Sequence, residues 1–212
     1  MAVEFCPAMV VLAVSNGVLV ALGAVCVLVI SLLALVGIYN RLATARVRVA
    51  NAFSQIDVQL KRRFDLIPNL VEAVKGYMSH ERQTLEAVTA ARGRASAGLQ
   101  AVAASGQPSG AQVAALAGAV TEFELLLRQL MIRVEAYPDL KASTNFLALQ
   151  EELVSTENRI AFARQAFNDA VMRYNTLRAV FPQNLIAEAG HFEEATLFSA
   201  PSQERSNPGV SF

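Results

Sequence analysis

The chain has 212 residues, 54% of them apolar and 17% charged, with 18 Lys+Arg against 18 Asp+Glu. Zero net charge and 7% aromatic residues without a Trp argue against a nucleic-acid binder, which needs a positive field and rings on which bases stack. Two cysteines, Cys6 and Cys26, provide neither a disulfide framework nor a metal knuckle.

The charges are unevenly placed. Glu4 is the only one before Arg41, so the 36 residues between them carry none. Within that run, Val18 to Ile38 is long enough as a helix to span the roughly 30 Å hydrocarbon core of a bilayer and predicts one transmembrane helix over 18–38. A short extracytoplasmic segment over 1–17 precedes it. The rival reading, a cleaved signal peptide, wants a basic leading region and a shorter apolar run, and Met1 to Pro7 carries only Glu4. No base lies before the run, whereas Arg41, Arg46 and Arg48 follow it at once. Basic residues are held back on the cytoplasmic side during insertion, so the amino terminus is expected outside and the rest of the chain in the cytoplasm.

Beyond the apolar run the period becomes helical. Val49, Phe53, Ile56, Leu60, Phe64 and Ile67 recur at intervals of three and four. Pro68 lacks a backbone donor and disfavours helix at Ile67, so a kink or break is expected there, followed by a second helix over 69–92. Residues 93–110, rich in Ala, Ser and Gly with Pro108, read as a flexible linker. Val113, Leu116, Val120, Phe123, Leu127, Leu130 and Val134 predict a third helix, and a fourth starts near Pro138 and runs to Pro182. The expected architecture is all-α: a single N-terminal transmembrane helix followed by an elongated antiparallel bundle of about four long helices over 39–190. A tail over 191–212 has Phe192, Leu197, Phe198, Val210 and Phe212 as its reasons to dock.

Catalytic patterns are missing from the sequence. His80-Glu81 begins a zinc-protease motif, but the second histidine must lie four residues after the first, and Thr84 stands there. No nucleophile has an activating neighbour in sequence and no phosphate or calcium loop is present. No enzyme activity, cofactor, metal or nucleic-acid partner is expected.

Two polar sets remain. Arg41, Arg46, Arg48, Lys61, Arg62 and Arg63 outnumber Asp57 between Tyr39 and Arg63. They are either a lipid-facing basic patch or a topology signal followed by a solvated helix face. Asp57, Asp65, Glu157, Arg164, Asn168 and Asn175 stand beside apolar stripes. Buried polar groups of this kind penalise helices that slide past each other, so a register lock is expected, with a polar ligand groove as the rival.

Several blocks together resemble the LemA family of bacterial membrane proteins: Tyr39-Asn40, Gln59 to Glu81 with its Asp65-Leu66-Ile67-Pro68-Asn69-Leu70-Val71 core, Ala91-Arg92, Glu135 to Pro138 with Asn145-Phe146, and Glu157 to Asn175. The ending Pro208, Val210, Phe212 is similar to the family's Pro-x-Val-x-Phe terminus, with Gly209 in place of a basic residue, and hints at tail docking. The resemblance implies a helical bundle on one amino-terminal anchor, without an established biochemical activity. It implies association with bacterial envelope functions, including membrane invagination around magnetosomes and a genomic link to a membrane metalloprotease. The expected function is a non-enzymatic inner-membrane scaffold that self-associates as a homo-oligomer on the lipid bilayer. The alternative is an adaptor for a membrane protease or quality-control complex.

Overall fold

A computed structural model describes residues 7–78, 80–105 and 109–198, with side chains from Ala21 onward. Among the described residues the chain is all-α, with six helices: α1 Pro7–Lys75, α2 Arg82–Ala104, α3 Gly110–Val134, α4 Pro138–Lys141, α5 Thr144–Ala179 and α6 Gln183–Ala189.

α1 is a single rod of 69 residues, about 100 Å at 1.5 Å per residue. Its backbone is already helical at Pro7 and passes Ser15, Asn16 and Gly17 without interruption, so it extends upstream of the 18–38 span. From Ala21 to Gly37 its side chains are exposed, including Leu28 and Ile30 at two-thirds of their full area. This part is long and apolar enough to cross a membrane. α3 also passes that test on length and composition, yet its apolar face, with Val113, Leu116, Val120, Phe123, Leu127 and Leu130, is turned into the core.

From Leu42 onward α1 becomes part of a helical bundle. α5 packs antiparallel to it: Ala45 shares a cluster with Tyr174, Phe53 meets Phe167, and Arg62 meets Glu152. α2 and α3 form a second antiparallel pair, joined by Arg94–Glu122 at 2.6 Å and by Arg133–Glu81 at 2.8 Å. One core unites the two pairs. Edge-to-face rings, Phe64 on Phe123 at 5.5 Å and Phe53 on Phe167 at 5.8 Å, bind α1 to α3 and α5. Each such pair adds about 0.5–1.5 kcal/mol beyond its buried area.

Four boundaries differ from the sequence reading. Pro68 lies inside α1 and neither ends nor splits it. The chain instead turns at Gly76 to Glu81, where Met78 is buried and its amide donates to the Val74 carbonyl. The expected 69–92 helix is therefore divided between α1 and α2. The expected linker is mostly helix: α2 continues to Ala104 and buries Ala95, Leu99 and Val102. It can do so because its small residues let α3 come close, Gly98 standing 3.5 Å (from a notional Cβ) from a Leu116 methyl. α3 then opens on a capping box, with Ser109 Oγ accepting from the Gln112 amide and the Gln112 side chain accepting from the Ser109 amide. Finally, the fourth helix is divided. Pro138 and Asp139 begin the single turn of α4, and α5 starts afresh at Thr144.

Candidate functional site

Lys61, Arg62 and Arg63 are consecutive, and successive helical residues point about 100° apart. They therefore face three surroundings. Lys61 is exposed and donates to Asp57 one turn back at 2.7 Å. Arg62 reaches across to Glu152 on α5 at 2.5 Å. Arg63 is not lipid-facing: it is 6% exposed, within the core.

Arg63 belongs to a charge cluster linking three helices. Its Nη1 lies 2.5 Å from Glu157 on α5 and 3.3 Å from Glu124 on α3. Glu124 also accepts from Arg164 of α5. Each guanidinium lies over a ring, Arg63 over Phe123 at 5.4 Å and Arg164 over Phe198 at 5.2 Å. Burial pulls the Arg63 pKa below its ordinary value, and the carboxylates of Glu157 and Glu124 oppose that shift. Two arginines share two carboxylates here, so sliding any helix by one turn, about 5.4 Å, strands a charge in a poorly solvated place. Glu157 and Arg164, singled out in the sequence, are in this cluster. Glu124 was missed, although a carboxylate between Phe123 and Leu127 on an apolar stripe is the signal that marks it.

Asp57 and Asp65 are not in the cluster. Asp57 serves Lys61 on its own helix, and Asp65 is exposed, 4.0 Å from Arg92. Arg92 has a further contact: its Nε donates to the Phe64 carbonyl at 3.2 Å. That carbonyl is the one an amide at position 68 would occupy in an unbroken helix, and proline has no amide hydrogen. A side chain from α2 thus supplies the donor that Pro68 lacks. The Asp65-to-Val71 block and the Ala91-Arg92 pair, separate in sequence, meet at this node.

Asn168 and Asn175 likewise have partners other than a neighbouring helix. After α6 the chain returns along α5 as an extended segment from Phe192 to Phe198. Asn175 accepts from the Ala195 amide at 3.0 Å and donates to the Ala195 carbonyl at 2.8 Å. Asn168 does the same with Phe198, at 2.8 and 3.2 Å. Tyr174 donates to the Glu193 carbonyl at 2.7 Å and Arg178 to the Phe192 carbonyl at 2.8 Å. Burial raises the Tyr174 phenol above its ordinary pKa. The segment is thus clamped through its backbone, with Phe192 and Phe198 buried as pegs. Pro208, Val210 and Phe212, the expected docking residues, lie outside the described residues.

Of the other bases, Arg41 and Arg48 are exposed on α1 and border a shallow groove of about 380 Å³ with Asn40, Thr44, Ala45 and Leu177. Arg46 stands over the Phe192 ring at 5.8 Å, facing the tail. In place of the second histidine of a zinc motif, Thr84 donates to Glu81, which pairs with Arg133. His80 is exposed.

These features define a class: a helical protein whose apolar amino-terminal rod continues unbroken into a bundle with a charge cluster linking three of its helices, and with residues 192–198 strapped along one helix. The chain belongs to the LemA family, whose model matches residues 52–212. It is 26% identical to Protein LemA of Metamycoplasma hominis over 170 residues, 80% of this chain and 73% of that protein. It is 28% identical to Magnetosome protein MamQ of Magnetospirillum gryphiswaldense over 76% of this chain, but spans only 64% of that relative's length. Magnetosome protein MamQ 2 of Paramagnetospirillum magneticum is 34% identical over 84 residues, covering 40% of this chain and 31% of that protein.

Proposed function

We propose that the chain is a non-enzymatic scaffold, anchored as a single-pass protein in a bacterial inner membrane, with its amino terminus outside and its bundle in the cytoplasm. On this reading copies self-associate and organise or remodel the membrane. The observation that carries it is the continuity of α1, in which one helix supplies both the exposed apolar rod and a core strut of the bundle. A helix shared in this way transmits the orientation of the anchor to the bundle, as a jointed linker would not. Confinement to a membrane also raises the effective concentration of copies, so weak contacts suffice for assembly. Likeness to Protein LemA and to magnetosome proteins supports a membrane-associated role. Crosslinking in native membranes should give a ladder beyond the dimer, and monomers at native abundance would refute self-association. A carboxyl-terminal reporter active in the cytoplasm checks the orientation.

A second reading, an adaptor for a membrane protease or quality-control complex, is favoured by the tail. Residues 192–198 are held through the backbone and lead the chain towards Pro208, Val210 and Phe212. Deleting Pro208 to Phe212 separates the readings: an adaptor loses its co-purifying membrane partner, whereas a scaffold keeps its crosslinked ladder.

A further inference from the structure

α6 lies beside Leu35, Val36 and Tyr39, which belong to the uncharged run of α1. Ile38 packs in the small cluster that contains Leu42, Tyr174 and Ile186. Leu185, Ile186 and Ala189 of α6 are thus level with Leu35 to Tyr39, before the first base, Arg41, and the α5–α6 turn adjoins them. At that level they expose an apolar surface. Phe181 is 74% exposed, Leu185 58% and Val180 49%, although Ile186 and Ala187 of the same short helix face inward. Asn184 and Glu188, one turn apart, form a separate polar strip on α6. The helix thus has one side on the bundle, one polar and one apolar, and the apolar side adjoins the exposed rod at Leu35 and Val36.

We propose that the α5–α6 turn and α6 form a second membrane contact, a foot whose Phe181 and Leu185 enter the cytoplasmic interface beside the point where α1 leaves the bilayer. The inference rests on α1 spanning that bilayer, because the foot is continuous with the apolar surface of residues 21–37. The occupant is lipid. The surface adjoins the greasy rod, and Arg41, exposed about 4.5 Å along the axis from Ile38, suits anionic headgroups at the same height. Two points of attachment hold a rod at a set tilt, whereas one leaves it free to swing.

The test uses the full chain with Cys6→Ser and Cys26→Ser, carrying a nitroxide at one of four single cysteines: F181C, L185C, F162C or L28C. Phe162 is 73% exposed on α5 and about 26 Å along the helix from its end at Ala179, so it reports the bundle wall. Leu28 reports the anchor. In vesicles of phosphatidylcholine and phosphatidylglycerol, accessibility to oxygen is compared with accessibility to a water-soluble nickel chelate. The labels at 181 and 185 should show a several-fold higher oxygen-to-nickel ratio than the label at 162, approaching that at 28. A lipid-like signal at 28 with water-like signals at 181 and 185 overturns the foot and leaves the anchor standing. A water-like signal at 28 overturns both. Labels at 181 and 185 shielded from oxygen and nickel alike mean that protein covers this surface, and overturn the assignment to lipid.

Discussion

Replacing Arg92 by alanine removes the donor that satisfies the Phe64 carbonyl, which the proline four residues later cannot serve. Phe64 is 2% exposed, so its carbonyl is poorly placed to recruit water in exchange. An unsatisfied buried acceptor costs about 1–3 kcal/mol, and the partial exposure of the Arg92 side chain places the expected loss near 2 kcal/mol. The Asp65–Arg92 contact, long and mostly solvated, adds little. At about 2–4 °C per kcal/mol for a chain of this size, Tm should fall by about 4–8 °C, read by circular dichroism on the full chain in detergent micelles. The decisive variant is the double one. Alanine at position 68 restores an amide hydrogen aimed at the same carbonyl, so Pro68→Ala should rescue Arg92→Ala by about 1 kcal/mol or more. Strictly additive losses would refute the claim that Arg92 substitutes for the missing donor.

Glu124→Gln leaves Arg63 and Arg164 with less compensating charge. It should cost about 3 kcal/mol in the same melts, and joint exchange of Arg63, Glu124, Glu157 and Arg164 for Met, Leu, Gln and Met, which leaves no charge of the cluster without its partner, should recover most of it. Asn175→Ala removes two hydrogen bonds to Ala195, about 1 kcal/mol each. Hydrogen exchange at the Ala195 and Phe198 amides should quicken by about tenfold or more while α2 amides are unchanged. Gly118→Ala, where a Cβ meets nothing within 4 Å, should stabilise α3 by about 0.5–1 kcal/mol. Gly110→Ala should instead loosen the tail, because its Cβ would stand 2.2 Å from Thr196 Oγ1. Tyr174 has its folded pKa raised above the ordinary value of about 10, so its contribution is complete below that pH and is lost as pH rises through the folded value. The tail amides should lose protection above about pH 10, and Tyr174→Phe should remove that dependence while weakening the tail below about pH 10, where the phenol still donates.

The apolar run and the heptad-like stripes were legible because both depend on side chains alone, and Phe53, Ile56, Leu60, Phe64 and Ile67 are buried together as their spacing requires. The errors share a different cause. Whether Pro68 breaks a helix depends on what else reaches the Phe64 carbonyl, and the answer is an arginine 24 positions further on. Whether Ala95 to Ala104 forms a linker depends on whether another helix can lie close against small residues, and α3 does. Backbone demands are met here by distant side chains, which no local window contains.

The polar residues divide along the same line. Arg63 stands three residues after Leu60 and beside Phe64, on the buried stripe itself, so the period that located the core also located this arginine. Grouping it with Lys61 and Arg62 as one basic run ignored that helical neighbours face different directions. Asn168 and Asn175 are seven apart, two turns on one face, which marks them as a pair. Their partner is the main chain of a returning segment, and main-chain groups leave no pattern in a sequence. Arg164 holds Glu124 with one side of its guanidinium and covers Phe198 with its plane, so the charge cluster and the tail clamp share a residue. The charge cluster and the seating of the tail on α5 therefore meet at one side chain, and Arg164→Leu should disturb both, lowering Tm and quickening exchange at the Phe198 amide.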